Sequence, residues 1–220
     1  MGPAWRYRLQ GVAATLLVLL VVAIVHFWVG SGWFTYLGWR PRVLDVTAPT
    51  QLPLATPRSD IPGLENFAQV SRNLYRGAGA DAVGYRALKA MGVRTIVDLQ
   101  QFHSDRRALQ GLGLNYVHIP MNPAEIDDDE VAAFLQVVRN PELQPVFVHC
   151  KAGSDRTGVV VAIYRVMEQG WSVTEAAQEL PHFGFHEVFV PLQQYLKGLN
   201  LGEISRLAAT QPPPRVVVVP

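Results

Sequence analysis

The stretch PVFVHCKAGSDRTGVVVAIYRV, residues 145–166, decides the fold. Its first five residues are short, apolar and β-branched, which predicts a buried strand. From Thr157 the run TGVVVAIYRVMEQG is long enough for a helix and stops at Gly170. Between them lies the short loop KAGSDR, which contains Gly153. Strand, loop and helix in that order put the loop at the C-terminal edge of an α/β sheet, where such folds bind ligands.

The loop follows Cys150, the only cysteine in the chain. Backbone N–H groups of a Gly-containing loop can turn inward as an anion nest, and a helix N-terminus adds its positive dipole end. Arg156 offers a planar fork for two phosphate oxygens. A helix start and a guanidinium also lower a cysteine's pKa from about 8.5 into the range ~3.5–7.5, and the thiolate is the nucleophile. The residues therefore point to a phosphate cradle in which Cys150 attacks phosphorus and water hydrolyses the cysteinyl-phosphate. Lys151, Ala152, Gly153, Ser154, Asp155 and Arg156 form the binding loop and stabilise charge on the equatorial oxygens. Thr157 is placed to donate its hydroxyl to the departing sulfur, and His149 to orient the loop. A lone cysteine is otherwise a small core residue. The conjunction of Cys150, Gly153, Arg156 and Thr157 weighs against that reading here.

Outward from the loop, strands and helices alternate. Residues 73–76 predict a first strand, 81–91 a helix closed by Gly92, and 93–99 a β-branched strand. A short helix over 104–111 precedes a strand at 115–121. Asp127 or Asp128 caps a helix to Arg139. Ser172 and Glu175 form a capping box for a helix through Leu180, and a last helix covers 188–200. The fold class is α/β, with a central, mostly parallel sheet flanked by helices.

The N-terminus differs in kind. GVAATLLVLLVVAIVHFWV, residues 11–29, spans about 28 Å as a helix, close to a bilayer core of roughly 30 Å. Trp5 and Tyr7 precede it, and Trp28, Trp33, Phe34, Tyr36 and Trp39 line its far end, as at a headgroup zone. A cleaved signal peptide would carry a shorter apolar run and a small-residue cleavage site. The expected organisation is a membrane anchor with an aromatic belt over 1–39 and a Pro-rich tether over 40–65. The folded domain follows over 66–202, then an unpacked tail over 203–220. Arg6 and Arg8 before the helix outweigh Arg40 and Arg42 after it, which directs the domain to the outer face of the membrane.

Net charge is +1, so no basic field suggests nucleic acid. A single cysteine excludes an internal disulfide and a C-x-x-C redox pair. The histidines show no metal-ligand spacing, and no cofactor is implied.

His149, Cys150, Gly153, Arg156 and Thr157 match H-C-x-x-G-x-x-R-[ST] residue by residue. In this, residues 66–200 resemble the cysteine-dependent protein tyrosine and dual-specificity phosphatases, bacterial dual-specificity-like group. Leu74, Tyr75 and Arg76 resemble an L-Y-R segment of that group, and Val97, Asp98 and Leu99 its V-[ID]-L strand. GAGA after Arg76, and Gln100, depart from the pattern. The resemblance implies a dual-specificity-like fold and a phosphomonoester hydrolase. Lys151 is shared with relatives that act on phosphoinositides. Phosphoprotein and lipid phosphate, for example phosphatidylglycerophosphate, both stand as substrates. The alternative is a catalytically silent phosphate-binding or scaffold module at the membrane, which would be expected to have lost Cys150 or Arg156.

The leaving oxygen needs a proton donor. The resemblance implies an Asp on a separate upstream loop, but Asn122 stands near that place. Asp155, inside the loop, is the leading candidate because some relatives share the G-x-D-R-T pattern. Asp127, Asp128 and Asp129 are the rivals, each also readable as a helix cap or a solvated face.

Overall fold

The computed structural model describes residues 17–21 and 52–220. The chain divides into two compact units, residues 1–41 and 42–220. In the first, Leu17–Val21 are helical and exposed. The rest of the expected anchor, and the tether up to residue 51, lie outside the described residues. Among the described residues no helix is long and apolar enough to cross a membrane.

The second unit opens with a hairpin, β1 (Ala68–Ser71) and β2 (Leu74–Ala78). Helix α1 (Ala82–Ala90) starts where the Asp81 carboxylate accepts from the Val83 and Gly84 N–H groups, which otherwise have no intrahelical partner. It leads to β3 (Thr95–Asp98), a 3₁₀ turn (Asp105–Arg107) and β4 (Leu114–His118). Helix α2 (Asp128–Arg139) then crosses back to β5 (Val146–Cys150). Helix α3 (Asp155–Gln169) follows, ended by Gly170 at φ 71°. Two short elements, α4 (Val173–Ala177) and a 3₁₀ turn (Pro181–Phe183), precede α5 (Val190–Lys197), α6 (Leu201–Thr210) and β6 (Val216–Val219).

The sheet order is β1-β2-β5-β3-β4-β6. The four inner strands run parallel and both edge strands antiparallel, so the sheet is mixed around a parallel centre. β5 enters between β2 and β3 after the chain has already built β3 and β4. Its C-terminal end therefore lies where the strand order reverses, the favoured ligand position in open α/β sheets. Alternation along β5 divides the core. Val146, Val148 and Cys150 pack in the cluster that holds Val159, Val160 and Ile163 of α3. Phe147 packs on the other face with Tyr85 and Leu88 of α1.

Four expectations are corrected. Part of the Pro-rich segment belongs to the domain: Leu64 and Ala55 are buried, the Ala55 N–H donates to Glu179, and Arg58 bridges Phe67. Residues 203–210 lie in α6, which buries Ile204 and offers the Ala208 carbonyl to Gln136 of α2. The valine run after the prolines is strand β6, paired with β4; Val219 joins the core and Pro220 O accepts from Gly111 N at 2.7 Å. An unpaired β4 edge beside a β-branched run is enough to order it. The expected 104–111 helix is only the 3₁₀ turn, and strand β1 was not foreseen.

Candidate active site

β5 delivers Cys150 to the sheet edge with Ala78 of β2 as its register partner, while Asp98 of β3 stands opposite His149. The loop then crosses to α3. Ser154, the residue before the helix, makes no side-chain bond to it, so the first N–H groups of α3 keep the orphan donors of a helix start. Gly153 sits at φ 71°. A Cβ there would lie 2.4 Å from the carbonyl carbon and oxygen of Gly77 and 2.6 Å from the Ala78 nitrogen. The loop thus presses its backbone against β2, which only glycine permits.

Three consecutive loop carbonyls are tied back. Lys151 O accepts from Gly79 N at 3.3 Å. Ala152 O accepts from Asn66 Nδ2 at 3.0 Å, and Gly153 O from Arg76 Nη2 at 2.8 Å. A trans peptide carries its N–H opposite its C=O. Tying these carbonyls back turns the N–H groups of Ala152, Gly153 and Ser154 away from those partners and leaves them for a ligand. That is the arrangement of an anion nest.

Cys150 retains 2 % exposure and packs against the α3 core. Thr157 Oγ1, from the first turn of α3, is buried with no hydrogen-bond partner among the described residues. Arg156 Nη1 donates to Leu99 O at 3.3 Å and Met121 O at 3.4 Å, which holds the guanidinium at the C-terminal ends of β3 and β4. Lys151 is exposed.

His149, fully buried, rests on a polar network beneath the loop. Its Nε2 lies 3.0 Å from Asp105 Oδ2 and 3.4 Å from the Tyr85 hydroxyl; its Nδ1 is 3.3 Å from Cys150 O. Burial alone would push the imidazole down, but the hydrogen bond and charge of Asp105, with the charge of Asp98, hold it above its ordinary value. Burial would push Asp105 up, yet the hydrogen bond and charge of His149 and the Tyr85 hydroxyl hold it below. Sequence spacing showed no metal-ligand set, but the fold gathers ligand atoms of Asp98, His103 and Asp105 within 4.8 Å. Asp98 already accepts from Gln100 N and the Tyr116 hydroxyl, and Asp105 faces His149. The cluster braces His149.

Among the carboxylates, Asp155 is the first residue of α3 and its side chain is 15 % exposed. It accepts from His186 N at 2.9 Å and lies 3.0 Å from His186 Nδ1. Asp127 caps α2, its own N–H donating to Glu130 at 3.1 Å, and Asp128 accepts from the Tyr195 hydroxyl at 2.6 Å. Glu130, not singled out in the sequence, is pushed up to about 7 by burial and by the charges of Asp127, Asp129 and Glu125, against the Asp127 N–H that lowers it.

Sequence reading also missed Asn66, Arg76, Asp105 and His186 as parts of the site. The available signals were faint. Arg76 lies in the strand pattern LYR, where a charged residue inside a buried strand is already unusual. A cavity of about 700 Å³ beside β1, lined by Thr56, Gln69, Arg72 and Trp171 among others, includes no loop residue; chemistry, not size, locates the site.

The family model described as tyrosine phosphatase family matches residues 62–210. The dual specificity protein phosphatase TpbA of Pseudomonas aeruginosa is 34% identical over 140 residues, covering 63% of this chain and 63% of the relative. Inositol diphosphatase SIW14 of Saccharomyces cerevisiae is 25% identical over 154 residues, covering 66% of this chain and 54% of the relative. The chain thus spans less than two thirds of the length of these curated relatives. A crystal structure of TpbA superposes with a TM-score of 0.63 at 28% identity, covering 73% of this chain and 100% of that one. The catalytic core of SIW14 superposes with a TM-score of 0.60 at 25% identity, covering 68% of this chain and 94% of that one. With the signature residues of the loop on the strand-to-helix turn just described, the chain belongs to the tyrosine phosphatase family, within the cysteine-dependent tyrosine and dual-specificity superfamily.

Proposed function

We propose that residues 149–157 bind the phosphate of a phosphomonoester and that Cys150 hydrolyses it. The observation that carries this reading is the row of loop carbonyls tied back by Gly79, Asn66 and Arg76, which leaves three N–H groups for a ligand at an uncapped helix start. The sulfur attacks phosphorus as a thiolate. The S–P bond forms as the P–O bond breaks, and the departing alkoxide takes a proton from Asp155. Water then attacks phosphorus and gives its proton to the Asp155 carboxylate, the S–P bond breaks, its electron pair returns to sulfur, and phosphate leaves. The Thr157 hydroxyl, which has no hydrogen-bond partner among the described residues, donates to the sulfur as it leaves. Arg156 exchanges its two backbone carbonyls for two phosphate oxygens, a stronger charge-assisted pairing. His186, whose N–H and Nδ1 lie at Asp155, keeps that carboxyl at the loop.

The substrate proposed is a phosphoprotein. Its support is the similarity to TpbA, of which a Cys-to-Ser variant has been seen with phosphotyrosine. The apolar run at 11–29 supports a single-pass anchor with the domain on the outer face, which brings membrane phosphoproteins and lipid phosphates within reach. Full-length protein in detergent, given para-nitrophenyl phosphate, a phosphotyrosyl peptide and phosphatidylglycerophosphate, tests the reading. Turnover of the first two is expected, lost by about 10³-fold or more in Cys150→Ser. No hydrolysis from about pH 5 to 8, or an active Cys150→Ser, would overturn it, since the thiolate is the required nucleophile. Turnover of the lipid alone would move the substrate to the membrane.

A further inference from the structure

Arg76 is fully buried on β2, and the loop chemistry above uses its hydrogen bond to Gly153 O but not its charge. Its Nη2 donates to Gly153 O, and its guanidinium lies 3.5 Å from the centre of the Phe183 ring. Nε and Nη1 are buried with no hydrogen-bond partner among the described residues. Among the described residues no carboxylate forms an ion pair with it. A buried charge is costly unless an opposite charge compensates it.

The surroundings sharpen the point. Glu179 is the carboxylate that faces Arg76, but both its oxygens already pair with Arg165, and one also accepts from Ala55 N. Two buried guanidinium groups therefore share one buried carboxylate. Burial lowers the Arg76 pKa to about 10, with the Glu179 and Cys150 charges opposing and Arg165 assisting, so the group stays charged at neutral pH. One positive charge is left over behind the phosphate loop, hydrogen-bonded to the loop's own backbone.

We infer that Arg76 is the loop's buried counter-charge, a positioning residue that favours an anion in the cradle by its charge and, through Gly153 O, by the orientation of the loop. This rests on the reading of residues 149–157 as a phosphate loop. Arg76 does not touch the phosphate; the loop peptides lie between. The uncompensated charge is what the dianion and the ionised sulfur complete, so the folded protein is incomplete electrostatically until the loop is charged. Asn66 performs only the second of the two tasks. It ties the neighbouring Ala152 carbonyl and the Phe183 carbonyl, at 3.0 Å each, with a neutral amide.

The test is protection of Cys150 from iodoacetamide by inorganic phosphate, in the full-length chain, with folding checked by thermal melts. In the wild type, phosphate should protect, and Arg156→Ala should abolish protection; if phosphate does not protect the wild type, the loop reading itself fails. Arg76→Gln, which can keep the bond to Gly153 O but not the charge, should weaken phosphate about ten- to a hundredfold, as expected for losing a charged partner. Asn66→Ala should weaken it by only about threefold. An Arg76→Gln midpoint within about twofold of wild type would overturn the counter-charge while leaving the loop reading intact. Should the Gln variant not fold, Arg76→Lys decides. It keeps the charge, so a midpoint within about threefold of wild type supports the inference and a tenfold loss overturns it. In turnover, Arg76→Lys should hold kcat/KM where Arg76→Gln loses it, a rescue that a packing role alone would not give.

Discussion

One added methyl group at position 153 measures how closely the loop is fitted. Gly153→Ala places a Cβ against the Gly77 carbonyl and the Ala78 nitrogen in a left-handed backbone that costs about 1–2 kcal/mol for a residue with a side chain. The loop must move off β2, and its N–H groups move with it. Turnover should fall about 10²-fold or more, and the strain should lower the melting temperature by about 2–8 °C. Asp155 invites a different comparison. Asp155→Asn should slow hydrolysis of an ester with a poor leaving group by about 10²-fold and hardly change para-nitrophenyl phosphate, whose leaving group needs no proton. Equal loss on both substrates would assign Asp155 to bracing His186 instead. Beneath the loop, Asp105→Asn strips the buried His149 of its counter-charge, a loss of about 3–5 kcal/mol for a broken buried pair. His149 is held above its ordinary value of 6.5, so its contribution is complete below that pH and disappears as pH rises through the higher folded value. Asp105 is held below 3.8, so its contribution is complete above that pH and disappears as pH falls through the lower folded value. Denaturant melts should therefore show the largest gap between wild type and variant near pH 5 to 6 (about the middle of that window) and a narrowing gap in alkali.

At the scale of elements, the start of α2 carries an unusual load. Asp127, Asp128, Asp129 and Glu130 suit the positive end of the helix dipole, but four acids in sequence also repel one another. Glu130, which accepts from the Asp127 N–H, is pushed up to about 7, so its ionised form costs the folded state as pH rises from 4.5 toward that value. Glu130→Gln keeps an acceptor and removes the charge. Thermal melts should show the variant more stable than wild type at pH 8 and no more stable at pH 5. The reverse order would mean that the Glu130 charge stabilises the helix start. The strand β5 and helix α3 were legible for a local reason: apolar run, loop and second apolar run adjoin in the sequence, and their periods differ. Strand β1 was not, since AQVS is only four residues and its pairing depends on the turn to β2. Strand β6 was read as tail because VVVV fits a strand anywhere, and only the free β4 edge gives it a place.

Over the whole molecule, what was readable and what was not divides by sequence separation. Cys150, Gly153, Arg156 and Thr157 occupy eight consecutive positions, so their chemistry is visible as a motif. Asn66 and Arg76 reach the loop from 86 and 77 residues away, through the pairing of β2 with β5. Asp105 reaches His149 through a 3₁₀ turn, and His186 reaches Asp155 through a turn after Phe183. Such partners are set by sheet order, and sheet order follows from burial on both faces of the parallel strands. The charge balance that singles out Arg76 is likewise a property of the folded core. The most direct measurement is acid quench of the full-length protein during turnover of para-nitrophenyl phosphate, followed by mass analysis of its peptides. A phosphoryl group should appear on the peptide holding Cys150, with a rise time matching the burst of product, and should be missing from Cys150→Ser. Turnover with a burst but with the phosphoryl group on another residue, or undiminished turnover in Cys150→Ser, would contradict nucleophilic attack by that sulfur.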